Sequence, residues 1–323
     1  FFYWKRNNNI LNTITVLERS SPIGTCDMSG ASTELDMCRP VLETRGDGAF
    51  LHCVGLRNPL LTMGTTDYVV PNDVRIGRDP IAVPGSPGAG ACGIIVLTGP
   101  NMGGKSTVLR QACLAVILAQ VGCYVPATAC RLQCFDRIFT RCGASDNIAA
   151  GQSTFMVELE ETSNILQYAT RDSLVVLDEL GRGTSTWDGY AIAYAVLQYF
   201  ALHCPAAVLF STHYHSLVDE LRDNPSVALY HMVCVVEDEI SFLYNMAPGM
   251  SANSYGPDVA LKSGMDPRIV EKARAVSAFK KKEHARAGLV KLLELVLRVR
   301  HGEHLAAVAT YLPSLTRNTS MTL

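Results

Sequence analysis

The chain has 323 residues, of which 48% are hydrophobic and only 18% charged, and its formal net charge is −2. This length and composition provide enough apolar surface for a buried core and argue against wholesale disorder. The near-neutral charge gives no overall attraction to nucleic acid, so we expect no direct DNA contact except through a local patch or through residues outside this chain.

The first residues predict little structure of their own. The segment from Ser20 to Glu34 is rich in Ser, Gly, Thr and Pro, which is typical of a linker. We therefore interpret residues 1–37 as the remnant of a preceding helical region and its linker. From Ala49 onward the pattern changes to short strands, predicted at Phe50–Leu56 and Asp67–Val70, with Pro71, Asn72 and Asp73 closing the second. Residues 84–91 read as a loop.

Strand and helix patterns then alternate, which predicts an α/β sheet with crossover helices. The run Ile94–Thr98 is continuously apolar, as expected of a parallel strand that is covered on both faces. Further strands are predicted at Arg137–Arg141, Leu174–Leu177 and Ala207–Phe210, helices at Thr107–Val121, Phe155–Ala169 and Tyr190–Leu202, and a hairpin from Leu229–Val235 and Ile240–Asn245.

The last third is predicted to be helical, with helices at Pro267–Lys282 and Gly288–Arg300. The second helix is apolar except for one narrow polar stripe, so it has to be buried or to pack on a partner. The basic cluster Lys280–Lys282 could contact a DNA backbone or direct localisation, but a solvated helix face is the simpler interpretation.

The cysteines indicate a reduced protein. There are eleven of them, an odd number without a CxxC pair, and several lie in apolar runs. This pattern favours free thiols in a cytosolic or nuclear compartment over disulfides or zinc. The longest apolar stretch, Leu114–Val125, is too short to cross a bilayer, so a membrane role is not expected.

A phosphate-binding loop follows the first apolar strand. The motif GxxxxGK[ST] is matched by Gly99, Pro100, Asn101, Met102, Gly103, Gly104, Lys105 and Ser106, with Thr107 next in the helix. Glycines let backbone N–H groups face phosphates, and the helix N-terminus adds favourable partial charge. Lys105 is expected to reach the β- and γ-phosphates of ATP, and the Ser106 hydroxyl to bind Mg²⁺.

Three later residues complete the predicted site. Asp178 ends an apolar strand and is expected to hold Mg²⁺ through water, while Glu179 can polarise the attacking water as general base. His213 follows another apolar strand and can hydrogen-bond the γ-phosphate or that water. The order of P-loop, Asp-Glu and strand-end His is that of ABC-type ATPases. The LSGGQ signature of ABC transporters is not found, which disfavours a transporter domain.

A second anion-binding helix start is predicted at Ser153. The residues Gly151 to Thr154 precede a helix and could either simply cap it or bind a phosphate. One site does not need two such helix starts, so the second makes sense if it completes a partner's site across a dimer interface.

These motifs together resemble the DNA mismatch repair MutS family, in the family's order and over roughly residues 38–282. The similar stretches are Thr98–Thr107, Phe139–Leu159, Asp178–Gly189, Ser211–Leu217 and Ser254–Ala273. Within the family, Met37–Leu42, Val70–Asp73, Gly122–Ala127 and Asp136–Asp146 are similar to the sixth eukaryotic homologue.

The resemblance implies roles for individual residues. Asn101 would assist Lys105 at the phosphates, and Ser153 would act in trans on a partner's nucleotide. The family places an aromatic just before the Pro-Asn-Asp turn, against adenine; here valines precede Pro71, so Tyr68 is the expected aromatic. Trp187 stands where the family usually has Phe or Tyr.

The resemblance also implies the organisation. Residues 38–250 would form an ABC-type P-loop NTPase with a mixed, mainly parallel sheet and flanking helices, and 251–323 a helix-turn-helix dimerisation segment with a helical tail. The protein would be a nuclear ATPase using ATP and Mg²⁺ to switch a DNA clamp, paired with a second MutS homologue subunit in a heterodimer. Mismatched DNA would be contacted through domains absent from this chain, which is expected to be a fragment, a faulty gene model or a truncated paralogue. The alternative is a dimerisation module that binds nucleotide with little or no hydrolysis.

Overall fold

The computed structural model describes residues 37–44, 48–64, 69–79, 93–142, 153–237, 240–251 and 255–300, without side chains at 62–64, 281, 284–285 and 287–300. The predicted remnant, apart from residue 37, lies outside these ranges, as do Tyr68 and the predicted loop at 84–91. The nine cysteines in the described ranges are free thiols. No helix in those ranges is both long and apolar enough to cross a membrane.

The described elements alternate between strands and helices. The strands are β1 (Val41–Glu43), β2 (Phe50–Leu56), β3 (Asn72–Gly77), β4 (Ile94–Thr98), β5 (Ala129–Gln133), β6 (Arg137–Arg141), β7 (Ser173–Asp178), β8 (Ala207–Ser211), β9 (Val227–Val236) and β10 (Ile240–Pro248). The helices are α1 (Pro59–Gly64), α2 (Lys105–Gln120), α3 (Thr154–Tyr168), α4 (Thr186–Leu202), α5 (His215–Leu221), α6 (Gly256–Lys262) and α7 (Pro267–Arg300).

The larger sheet carries the predicted site at one edge. Its strand order is β10-β9-β4-β8-β7-β6, and the four pairs from β9 to β6 are parallel. Along β4, Ile95 and Leu97 enter one apolar cluster while Ile94 and Val96 enter the other. The strand is therefore apolar on both faces, because α2 and the smaller sheet cover one and α4 covers the other. The predicted mainly parallel sheet with flanking helices is confirmed.

The smaller sheet was only partly predicted. Its order is β1-β5-β2-β3, in which β2 is antiparallel to both β3 and β5 and β1 is parallel to β5. The prediction of a strand through Val69 and Val70 is wrong, because β3 begins only at Asn72. Pro71 has no backbone N–H to donate, and pairing with β2 starts directly after it, at Leu56 opposite Asn72.

The two helices predicted at the C-terminus form one helix, α7. Strong helix formers such as Lys, Glu, Ala and Arg join them. The single Gly288 between them costs only about 1 kcal/mol relative to alanine and does not end the helix.

The chain divides into two compact units, residues 1–235 with 241–254 and residues 236–240 with 255–323. The second unit contains a helix-turn-helix, in which four residues separate α6 from α7. An ion pair of 2.7 Å between Arg274 and Asp258 joins the two helices, and Val270 is buried. The predicted boundaries at residues 38, 250 and 251 stay a prediction.

Candidate nucleotide-binding site

The loop between β4 and α2 has the backbone of a phosphate cradle. Gly99 and Gly104 have φ of 138° and 98°, and Met102, at 66°, is left-handed without being glycine. A Cβ at Gly99 would lie 3.0 Å from the Met232 side chain. Gly104 precedes α2 and supplies no side-chain cap. The first N–H groups of α2 are therefore left for an anion.

Lys105 is a buried cation at the centre of this loop. Only 4% of its surface is exposed, and its Nζ donates to the carbonyl oxygens of Gly99 at 2.9 Å and Pro100 at 3.0 Å. Desolvation lowers the pKa of Lys105, while the Glu179 carboxylate, 3.8 Å away, opposes that effect. The ammonium is thus held against the loop in a position to face bound phosphates. Ser106 and Thr107 are half-buried in the first turn of α2, and Asn101 is exposed in the loop.

The ends of β7 and β8 meet at the same edge of the sheet. Asp178 is paired in register with Ser211, whose hydroxyl donates to Asp178 Oδ1. The Glu179 N–H donates to Ser211 at both the carbonyl oxygen (3.1 Å) and Oγ (3.2 Å). Ser211 is fully buried and orients both acidic residues. Sequence reasoning missed it, although its position at the end of the strand before His213 was a usable signal.

Glu179 is held by three basic side chains. One carboxylate oxygen contacts His213 Nε2 and lies 3.8 Å from Lys105 Nζ, while the other contacts the Arg182 guanidinium. The hydrogen bond with His213 is the largest cause that lowers the pKa of Glu179 to about 2, and Lys105 and Arg182 add to it. Glu179 also has a left-handed backbone, with φ of 59°. Such a conformation of a non-glycine residue is uncommon and occurs at functional sites.

The structure therefore brings four predicted residues into one cluster, namely Lys105, Asp178, Glu179 and His213. A sequence model of MutS domain V matches residues 95–280, which include this cluster. The chain belongs to the MutS family.

The MutS relatives are much longer than the matched region. Msh6 of Gallus gallus is 47% identical over 258 residues, which is 76% of this chain and 19% of that protein. Msh6 of Homo sapiens is 47% identical over 73% of this chain and 18% of its own length. MutS of Myxococcus xanthus (strain DK1622) is 48% identical over 68% of this chain and 24% of its own. The chain thus spans about a fifth of the Msh6 relatives, and the predicted similarity to the sixth homologue is confirmed.

Ser153, the residue predicted to act in trans, caps α3. Its Oγ accepts a hydrogen bond from the Met156 N–H at 3.2 Å, and its surface is exposed. The Ser153 carbonyl oxygen also accepts from the Val157 N–H, at 3.2 Å. The cap satisfies one helix N–H and leaves the hydroxyl accessible, so both interpretations of this residue, cap and contact in trans, are compatible with its position.

Tyr68, the predicted adenine contact, lies outside the described residues, but another aromatic lies against the P-loop. A Cβ on Gly104 would be 3.4 Å from Tyr244 Cδ1. Tyr244 is left-handed, with φ of 55°, and its carbonyl accepts from the buried Asn72 side chain at 3.0 Å. The Asn72 Oδ1 in turn accepts from the Met246 N–H. Sequence reasoning assigned Tyr244 to a plain strand, because nothing local links it to Gly104.

The oxygen donors near the MutS P-loop fit Mg²⁺. Ser106 offers a hydroxyl and Asp178 a carboxylate, and the hydrogen bond from Ser211 orients that carboxylate. Mg²⁺ prefers hard oxygen ligands and is usually bound by one or two protein groups together with water and substrate phosphates. Within the described residues, no cluster of three His, Cys, Asp or Glu side chains could hold a metal alone, so phosphates and water would have to complete the coordination.

Proposed function

We propose that this chain is the ATP-binding and hydrolysing module of a MutS-type DNA mismatch repair subunit, coupling the nucleotide state to a DNA clamp. One observation carries the proposal: the buried P-loop Lys105 and the half-buried acidic residue Glu179 form an ion pair of 3.8 Å at the edge where the parallel strands end. In open α/β sheets ligands bind at this edge. A P-loop with both groups in place supports phosphate binding together with hydrolysis.

The residues of the P-loop would hold the triphosphate. The N–H groups at the start of α2 donate to phosphate oxygens, while Lys105 and Asn101 add charge and a further donor. Ser106 and Asp178 would hold Mg²⁺, which neutralises charge on the phosphate oxygens. The remaining loop residues Gly99, Pro100, Met102, Gly103, Gly104 and Thr107 shape the cradle.

Glu179 would orient the attacking water. With a pKa of about 2 it is ionised at neutral pH and accepts a hydrogen bond from the water. So weak a base suits the loose transition state of phosphoryl transfer, in which the water needs orientation more than early deprotonation. His213 holds the carboxylate and can donate to the γ-phosphate oxygens if the pair separates.

Removing the metal tests this assignment. We expect ATP turnover to fall to background when EDTA removes Mg²⁺ and to return when Mg²⁺ is added in excess. The reason is that the phosphate charges would then face Asp178 and Glu179 without neutralisation. Steady-state phosphate release by the chain, alone and with a MutS homologue partner, measures this. Turnover that is unaffected by EDTA would contradict the proposed metal site.

Tyr244 is proposed as an aromatic contact for the adenine base. Tyr244→Ala should weaken ATP binding about tenfold, because stacking of a base on an aromatic ring contributes roughly 1–3 kcal/mol. Titration with ATP and with inorganic tripolyphosphate, which has no base, separates this role from a general loss of the site. Tripolyphosphate binding should not change, and neither binding should change in Leu243→Ala, the exposed neighbour on β10. Equal losses of both ligands would remove Tyr244 from this role.

The proposals about partners rest on the MutS relatives, on the exposed Ser153 at the start of α3 and on the helix-turn-helix of α6 and α7. Ser153 would contact the nucleotide of a second MutS homologue subunit, and the helix-turn-helix of α6 and α7 would dimerise with that subunit. Mismatched DNA would be recognised by parts of the longer MutS polypeptide, and the location would be nuclear as implied by the eukaryotic relatives.

A second function is favoured by one observation at Glu179. His213, Arg182 and Lys105 all hold this carboxylate, and a carboxylate so held needs a rearrangement before it can orient water. The alternative is therefore a nucleotide-binding dimerisation module of a truncated or degenerate MutS paralogue with little hydrolysis. The Glu179 variant described in the Discussion distinguishes the two.

A further inference from the structure

A buried carboxylate on α3 lies outside the nucleotide site but contacts the loop that follows Glu179. Glu158 is only 4% exposed, and its Oε1 accepts a hydrogen bond from the Gly181 N–H at 2.9 Å. Its other oxygen is 3.9 Å from the guanidinium of Arg141. Burying a charge costs free energy unless partners compensate, so this arrangement fixes Gly181 relative to α3.

The carbonyl group of Gly181 is held by a hydrogen bond as well. Its carbonyl oxygen accepts from the Tyr214 hydroxyl at 2.9 Å. Gly181 has a φ of 89°, and a Cβ at this position would clash with the backbone of Gly189. Glu158 and Tyr214 thus hold the two peptide groups on either side of the Gly181 Cα, which packs tightly against the Gly189 backbone.

Gly181 and Tyr214 are each next in the chain to a residue that contacts Glu179. Arg182 follows Gly181 in the chain and contacts one Glu179 oxygen, and His213 precedes Tyr214 and contacts the other. A displacement of α3 that moves Gly181 therefore changes the positions of Arg182 and His213, two of the side chains that hold Glu179. Glu158 makes a side-chain hydrogen bond from α3 to Gly181, and Phe155 of the same helix packs close to Gly183.

We propose that Glu158 is a positioning residue that transmits the position of α3 to Glu179 through Gly181. The inference rests on the proposed function, in which the exposed Ser153 at the start of α3 meets a partner's nucleotide. Glu158 then makes the arrangement of Glu179 depend on the occupancy of the partner's site. Its side chain contacts Gly181 and Arg141, so it would act on ATP hydrolysis only through other residues.

The test compares Glu158→Gln with Glu161→Gln, a matched control on the same helix. Glu161 pairs with the same Arg141, at 3.1 Å, but is not bonded to Gly181. For Glu158→Gln we expect the amides of residues 179–186 to exchange hydrogen about tenfold faster, as measured by mass spectrometry. We also expect kcat for ATP to fall about tenfold, with KM and the Kd of a non-hydrolysable ATP analogue changed less than twofold. Glu161→Gln should resemble the unaltered chain.

Several outcomes would overturn the proposal. One is unchanged hydrogen exchange and unchanged kcat in Glu158→Gln, and another is the same losses in Glu161→Gln. A third is an equal change in kcat and in affinity for the analogue, which would indicate that the whole nucleotide site is less ordered. If the unaltered chain binds the analogue but does not turn over ATP, the hydrolytic function fails. Amide exchange with the analogue bound still decides on Glu158: a change restricted to residues 179–186 supports its role, and no change removes it.

A second variant covers the case in which Glu158→Gln does not fold. Tyr214→Phe removes only the hydroxyl that donates to the Gly181 carbonyl and should likewise speed exchange in residues 179–186. Where both variants fold, their effects on exchange should be less than additive, because both act on Gly181. Fully additive effects, or unchanged exchange in Tyr214→Phe, would contradict the proposal that Glu158 and Tyr214 both hold Gly181.

Discussion

Replacing Lys105 by methionine should weaken ATP binding at least about a hundredfold and abolish measurable turnover. The ammonium would make charge-assisted hydrogen bonds to two phosphate groups, and each such bond contributes roughly 1.5–3 kcal/mol. Methionine is of similar length and leaves no large cavity, so the loop between β4 and α2 should keep its shape. Equilibrium titration with a non-hydrolysable ATP analogue and steady-state phosphate release measure the two effects.

The stability of the same variant provides an internal check. Lys105 is buried and its pKa is lowered by desolvation, so the charge itself disfavours the folded state. We therefore expect Lys105→Met to unfold at the same temperature as the original chain or at a higher one. Lys280→Ala, which alters a lysine that is 70% exposed on α7, should change neither binding nor unfolding. Normal ATP affinity in Lys105→Met would remove the P-loop from the proposed function.

Replacing Glu179 by glutamine should lower kcat for ATP about a thousandfold and leave the binding of the analogue within a few-fold of the original. A group that positions or polarises a nucleophile contributes typically 10²- to 10⁴-fold to the rate, whereas binding depends mainly on the P-loop. Glutamine keeps the size of the side chain but loses the charge that attracts His213, Arg182 and Lys105. Single-turnover kinetics with saturating chain isolate the hydrolytic step from product release.

The Glu179 variant also separates the two proposed functions. If the original chain and Glu179→Gln turn over equally slowly with a MutS homologue partner present, hydrolysis is not a property of this site and the nucleotide-binding dimerisation module is favoured. Asp219→Asn, a partly exposed carboxylate on α5 that pairs with Arg222 at 3.1 Å, is the control and should behave as the original chain does.

The parts of the site that could be predicted are those encoded by neighbouring residues. A P-loop is a contiguous motif, and Asp178, Glu179 and His213 each follow an apolar strand, so strand ends alone bring them to one edge of the sheet. These predictions needed only the alternation of strands and helices. Their proposed chemical roles stay predictions.

What could not be predicted depends on contacts between distant residues. Ser211 is bonded to Asp178 across 33 positions, and Tyr244 reaches Gly104 from β10, with Asn72 holding its backbone. Each of these residues looks ordinary in its own segment. The smaller sheet was also only partly predicted, because β1 is short and β5 pairs with strands far earlier in the chain.

The close approach of Gly181 to Gly189 has a mechanical consequence. The segment between these two glycines forms a closed loop, and it includes Arg182 and the exposed Trp187. Because its two ends are packed together, the segment 182–188 has little freedom to change shape. It would move as one body with the first turn of α4. A force on Arg182 or Trp187 would therefore move the backbone next to Glu179 and the start of α4, instead of being taken up by motion within the loop.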